Sequence, residues 1–290
     1  MTAATLHADA APARQVWRSL LWIIPLTALW IGLTYSFPIV SASGVQTVAV
    51  RVFIPMLLAL GLWLGLERTD LTPSQRRNFW LAILIPYTLW LAMIWSGAIN
   101  GLFLPRVSSV TLLPLAIFLP VIIATPILLS SKRMGQVLDA MPASWLIALQ
   151  LYRVFGGVFL VGWARNVIPG VFALPAGIGD VITGLLAVPI AISVAADTPE
   201  SRSAALGWNV FGLFDFAVAI SIGLMIAPGP LQLIVPSIPN TIAGVYPNVM
   251  IPAFAVPSSI LLHALSLRQL RRRNNSGRLL AIASSRRQTA

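Results

Sequence analysis

Eight stretches of the chain hold about twenty mostly apolar residues each, the length a helix needs to cross the hydrocarbon core of a bilayer. They run roughly Val16–Tyr35, Val45–Leu66, Phe79–Ala98, Val107–Ser130, Trp145–Trp163, Val171–Val194, Ala204–Ile226 and Tyr246–Leu267. The runs are continuous, without the period-two alternation of barrel strands, so the pattern predicts helices. The expected fold is all-α, a polytopic transmembrane helical bundle of about eight spans.

Polar residues between the runs set an orientation. Lys and Arg concentrate in cytoplasmic loops. Arg14 and Arg18 precede the first span, and Arg68, Arg76 and Arg77 lie between the second and third. Lys132 and Arg133 follow the fourth, Arg202 lies between the sixth and seventh, and seven arginines from Arg268 onward follow the eighth. Together these are fifteen of the nineteen basic residues. The opposite loops hold only Arg106 and Arg165, so the pattern predicts both termini on the cytoplasmic side. Trp17, Trp80, Trp145 and Trp163 fall at span ends, where interfacial tryptophans belong.

Three regions follow. Residues 1–13 read as a disordered tail, 14–270 as one transmembrane helical domain, and 271–290 as a basic cytoplasmic tail that fixes topology or touches anionic lipid. The apolar run Trp17–Leu33 is longer than a signal-peptide core, which predicts an uncleaved anchor. The connection Ala227–Val245 holds Pro228, Pro230, Pro236 and Pro239 and reads either as a lid over a site or as a passive interfacial segment.

Composition sharpens this picture. Of the 290 residues 58% are apolar and 9% charged, against roughly a quarter charged in soluble domains. The 22 prolines suit membrane helices, where neighbours re-satisfy the freed backbone groups. These values exclude a soluble enzyme and a disordered chain. The net charge of +11 is mostly a topology signal. No aromatic-interleaved basic face accompanies it, so no nucleic-acid partner is expected. With no cysteine, His263 the sole span histidine and Lys132 the sole lysine, no metal, haem or Schiff-base cofactor is expected. No nucleotide, zincin or hydrolase motif is present, and no catalytic residue is assigned.

The informative residues are the charges inside the spans: Asp180, Asp215, Arg51 and Arg153. Each costs roughly 2.5–3.5 kcal/mol at the bilayer centre on insertion scales, so they should pair. Two arrangements fit: Arg153 with Asp215 and Arg51 with Asp180, or one network around Arg153. Helical spacing puts Gln150, Arg153 and Gly157 on one stripe, Gly177, Asp180 and Gly184 on another, and Trp208, Gly212 and Asp215 on a third. Gly157, Gly177, Gly184 and Gly212 would let these stripes approach closely. Asn166, Asn209 and His263 could add donors.

Four segments carry a resemblance: Gln150-Leu151-Tyr152-Arg153, Pro175-Ala176-Gly177-Ile178-Gly179-Asp180, Trp208 through Asp215, and Pro252 through Pro257 running into Leu262-His263-Ala264-Leu265-Ser266-Leu267. Over roughly Met141–Leu270 the chain resembles an uncharacterised group of bacterial multi-pass membrane proteins. The resemblance implies a bacterial inner-membrane protein and brings no assigned activity.

The best-supported expectation is small-molecule binding or transport through the intramembrane Asp/Arg site. Arg51, Arg106 and Arg165 near the outer side favour an anionic or zwitterionic ligand. The alternative is a structural or accessory subunit whose ion pairs only hold the bundle, with a membrane-protein partner or a homo-oligomer carrying the function. A lipid enzyme using Asp180 and Asp215 as acid and base has no supporting motif.

Overall fold

The computed structural model describes residues 18–36, 49–105, 110–230 and 232–288. The expected disordered tail 1–13 and the anchor residue Trp17 lie outside the described residues, as does Arg106. The described residues form helices and connections, with no strand among them. In chain order the α-helices are α1 (Leu20–Ser36), α2 (Ile54–Glu67), α3 (Pro73–Ile99), α4 (Leu113–Ser130), α5 (Lys132–Ala140), α6 (Ala143–Ala148), α7 (Gly157–Ala164), α8 (Gly170–Val194), α9 (Pro199–Ile226) and α10 (Val256–Gln288).

Six helical segments are long and apolar enough to cross a membrane: Pro73–Ile99, Leu113–Ser130, Ala143–Ala164, Gly170–Val194, Pro199–Ile226 and Ile251–Asn275. They correspond to the last six spans expected from sequence. The first two expected spans fall on shorter pieces. α1 has 17 residues with Pro25 inside, and α2 is preceded by a π-helical turn, Ala49–Phe53. A second π turn, Ile251–Ala255, leads into α10. Pro55 and Pro257, which lack a backbone N–H, stand just inside the helices that follow. The two π turns pack against each other.

Local sequence explains the boundaries. Thr72 and Gln75 form a reciprocal capping box at the start of α3, with Pro73 at the first helical position. Thr198 accepts from the Ser201 N–H at the start of α9, ahead of Pro199 and Glu200. Ser131 ends α4 in an extended conformation and at once caps α5 by accepting from the Met134 N–H. α5 is amphipathic, burying Met134, Gly135, Val137 and Leu138 and exposing Lys132, Arg133 and Asp139.

α8 is the central helix. It packs against α9 on one side and against α6, α7 and the segment between them on the other. Its buried face is made of small residues, among them Ala173, Ala176, Gly177, Thr183, Gly184, Ala187 and Ala191. Such a face lets neighbouring backbones approach, the packing mode that holds helices together in lipid. Half of the apolar window of α8 is buried within the protein, against 11% for α3 and α4, which therefore lie at the periphery.

The expected continuous fifth helix is instead broken in its middle. Between α6 and α7 the chain runs as a 3-10 helix over Leu149–Gly156. Eight residues is long for this form, whose side chains eclipse every third position. The adjacent Gly156 and Gly157 mark its end. A Cβ at Gly184 would sit 2.5 Å from the Val154 nitrogen, so α8 touches the 3-10 backbone directly.

α10 runs without interruption to Gln288, so the basic segment from residue 271 onward is helical almost throughout. Its arginines do more than mark a membrane side. Arg268 donates to the Leu128 and Ser131 carbonyls at 2.8 and 2.9 Å. Gln269 donates to the Leu138 and Met141 carbonyls at 2.6 and 2.7 Å. Arg272 pairs with Asp139 through both carboxylate oxygens. The last is about half exposed, so it adds at most about 1 kcal/mol.

Candidate functional site

The 3-10 segment eclipses Gln150 and Arg153, so both side chains leave it along one line. Gln150 donates to the Ser259 carbonyl of α10 at 3.0 Å. Tyr152 shares a 2.5 Å hydrogen bond with the Ser259 hydroxyl. These two contacts fix the segment against α10 and leave Arg153 aimed between α8, α9 and α10.

All three nitrogens of the Arg153 guanidinium have partners. Nε donates to Asp180 Oδ1 at 2.8 Å, and Nη2 lies 2.7 Å from the same oxygen. Nη2 also donates to Asp215 Oδ2. Nη1 faces the Gly212 carbonyl at 3.2 Å and His263 Nε2 at 3.3 Å. The ring of Phe216 lies beneath the guanidinium, with Cζ 3.8 Å from its centroid, a cation–π contact. One buried side chain thus ties three later helices to the 3-10 segment. Of the two arrangements expected from sequence, the structure has the single network.

His263 is fully buried. A guanidinium can only donate, so His263 Nε2 accepts and the ring proton sits on Nδ1. That proton meets Asn209 Oδ1 at 2.9 Å. Asn209 in turn donates from Nδ2 to the Ala205 carbonyl at 2.8 Å and to Ser266 Oγ at 3.1 Å. Trp208 packs on the imidazole at 5.0 Å between centroids and donates from Nε1 to the Thr183 carbonyl at 3.0 Å. The polar network therefore extends through α8, α9 and α10 with assigned donors.

Arg51 stands apart from this cluster. It lies in the first π turn and stacks over Trp95 and Tyr246, 4.3 and 5.0 Å from their centroids. Asn166 is also elsewhere, in the turn between α7 and α8 with a left-handed φ of 56°. The four glycines named from sequence all sit at close approaches. A Cβ at Gly157 would meet Ile31, at Gly177 Leu160, at Gly184 Val154, and at Gly212 both His263 and Arg153.

Two further glycines escaped the sequence reading. A Cβ on Gly156 would strike the Asp180 carboxylate, and one on Gly179 would strike that of Asp215. The paired glycines Gly156-Gly157 after Arg153, and Gly177-Ile178-Gly179 before Asp180, were the available signal. Ser259, Phe216 and Asn240 were missed as well, and no spacing rule points to them.

Asp180 and Asp215 also form part of the lining of a cavity of about 210 Å³. Its walls are mainly apolar and include Phe103, Phe159, Phe172 and Phe216. Three connections meet around it, since Arg165, Val167, Ala227, Asn240 and Gly244 also line it. The proline-rich connection therefore contributes to the wall of the cavity. Every hydrogen bond to the two carboxylates among the described residues comes from Arg153. Each keeps its second oxygen, Oδ2 of Asp180 and Oδ1 of Asp215, without a donor among the described residues. Among the described residues no three His, Cys, Asp or Glu side chains stand together in a way that could hold a metal ion.

Fold and site together define an all-helical protein with several membrane-length helices, built around a buried arginine that clamps two carboxylates beneath an apolar cavity. More than half of the chain, residues 107–271, matches the profile of a family described as "Domain of unknown function (DUF8737)". The chain belongs to that family, and the matched stretch includes the whole Arg153 cluster. No curated protein and no solved structure matches the chain.

Proposed function

We propose that this protein is a bacterial inner-membrane protein of eight spans with both termini cytoplasmic, and that it binds or transports a small molecule through the Asp180–Arg153–Asp215 cluster. α1, and the first π turn with α2, would supply the two additional spans. The charge distribution supports the orientation: Arg68, Lys132, Arg202 and the arginines of α10 lie at helix ends away from the connections that meet at the cavity. Reporter fusions test it. A fluorescent protein after residue 290 should fold and fluoresce, and alkaline phosphatase inserted at Gly229 should be active. Phosphatase activity at the C-terminus instead would reverse the topology.

The binding reading rests on one observation. Asp215 is buried and Asp180 mostly so, each keeps an oxygen that no group among the described residues satisfies, and both residues line an apolar cavity. Intramembrane ionisable residues in such a setting ordinarily serve a ligand, ion or proton pathway. Native mass spectrometry of protein released from nanodiscs checks it, with wild type beside Asp180→Asn. A bound molecule is expected on the wild type and should be lost, or at least tenfold depleted, in the variant. Folded protein that is empty in both sinks the binding reading.

A second reading has its own observation. Arg153 engages all three nitrogens and joins four helical segments, which suits a pin that fixes helix register. In that case function lies with a membrane partner or a second copy, and the empty-in-both outcome would favour it.

A further inference from the structure

Given that the cluster is a ligand site, the chemistry around the cavity narrows what it holds. The sequence favoured an anionic or zwitterionic ligand because of the outer arginines. In the structure Arg51 and Arg165 make contacts of their own, and Arg106 lies outside the described residues. Arg51 is stacked on two aromatic rings outside the cluster. Arg165 donates to the Tyr35 carbonyl and lies over the Tyr35 ring, 5.1 Å from its centroid. Arg153 has spent its nitrogens on Asp180, Asp215, Gly212 and His263.

Arg165 also lines the cavity, while the ion cluster and its neighbourhood offer a ligand a set of acceptors. Asp180 Oδ2 and Asp215 Oδ1 are two of them. The third belongs to Asn240, which lines the same cavity from the proline-rich connection. Asn240 is 4% exposed, and its Oδ1 has no hydrogen-bond partner. A buried acceptor left without a donor is costly, and here it belongs to a residue that lines the same cavity as the carboxylates. One guanidinium against two carboxylates also leaves the ionised cluster one negative charge in excess, an unfavourable state at membrane depth. A positive group entering the cavity would neutralise it. The rings of Phe103, Phe159 and Phe172 add faces that attract cations.

We propose that the cavity binds a small amphipathic organic cation, a protonated amine whose ammonium hydrogens meet Asp180, Asp215 and Asn240 and whose apolar body lies among the phenylalanines. An ammonium group offers up to three hydrogens, which matches three acceptors. A carboxylate in the same position would face three acceptors and gain no donor.

The test uses matched probes on the full chain in nanodiscs. Benzylammonium, 2-phenylethylammonium and hexylammonium are titrated beside benzoate, 3-phenylpropionate and heptanoate, with 2-phenylethanol as the neutral control. Thermal unfolding and intrinsic tryptophan fluorescence report binding. At least one ammonium probe should raise the unfolding temperature saturably and bind at least tenfold more tightly than its carboxylate and alcohol counterparts. The preference should disappear in Asp180→Asn. Asn240→Leu lies outside the ion cluster and covers the case in which the aspartate variant does not fold; it should weaken ammonium binding severalfold.

Preferential binding of a carboxylate probe would overturn the proposed class while leaving a ligand site in place. Equal binding of 2-phenylethanol would do the same, marking an apolar site without charge selection. Ammonium binding unchanged in both Asp180→Asn and Asn240→Leu would place it elsewhere. No preferential binding of any ammonium probe overturns the amine proposal. The binding reading itself then stands or falls on the mass-spectrometric comparison, so the two failures are distinguishable.

Discussion

Arg153→Met is expected to abolish the folded protein. The substitution removes the only donor group to Asp180 and Asp215 among the described residues and leaves the two carboxylates without its charge. It also strips His263 Nε2 and the Gly212 carbonyl of a donor. Removing one partner of a buried ion pair costs about 3–5 kcal/mol, and here two pairs go at once. That is comparable to the whole stability of many domains, about 5–15 kcal/mol. Gel filtration in mild detergent should show aggregated or absent protein, with any residual fold melting well below wild type. The loss should be largely reversed in the triple variant Arg153→Met, Asp180→Asn, Asp215→Asn, because neutral groups of similar size replace the ion cluster. A single variant as stable as wild type would mean the cluster does not hold the helices together.

Gly179→Ala should be nearly as damaging, against the intrinsic preference of helices. Alanine is favoured over glycine in a helix by about 1 kcal/mol. At position 179, however, a Cβ falls on the Asp215 carboxylate. Asp215 cannot swing away without leaving Arg153. The helices must separate or the ion pair must open, and overpacking alone costs about 1–3 kcal/mol. Gly207→Ala is the matched control, since a Cβ there meets nothing within 4 Å. Thermal unfolding should show Gly179→Ala strongly destabilised and Gly207→Ala unchanged or slightly stabilised. The two variants melting together would rule out the close approach of α8 and α9. Asp215→Ala added to Gly179→Ala should recover part of the loss.

The helical class and the last six apolar segments could be read from the chain because twenty-residue apolar runs are unambiguous. The 3-10 break could not. Nothing in Leu149-Gln150-Leu151-Tyr152-Arg153 differs from an α-helix by composition, and the tighter winding is held by Ser259, more than a hundred residues away. The amphipathic α5 was passed over because its nine residues are too short for a span. The charged residues themselves were evident, since each is costly in lipid. Their partition was not. Depth along the helix left Arg51 beside Asp180 as open as a single Arg153 network, whereas the aromatic pair Trp95 and Tyr246 holds Arg51 and Asp180 pairs with Arg153. Asn240 lay hidden in a proline-rich connection with no periodicity to read. His263 could be named as a polar neighbour of the cluster, but nothing in the sequence showed that its imidazole accepts from the guanidinium.

The contacts made by Arg268, Gln269 and Arg273 have a bearing on biogenesis. A helix ends with carbonyls that no turn of its own can satisfy. For α4 and α5 such carbonyls, at Leu128, Leu138 and Met141, take their donors from α10, which also reaches the Ser131 carbonyl that already accepts from the Gly135 N–H. α10 is synthesised after every element it completes. A chain entering the bilayer in order must therefore hold the middle of the molecule open until α10 emerges, some 130 residues later. The cluster imposes the same delay, because Arg153 leaves the ribosome before Asp180, Asp215 and His263. Ribosome-bound chains stalled before residue 256 should thus be protease-sensitive at the α4–α5 junction, and release of the full chain should close it.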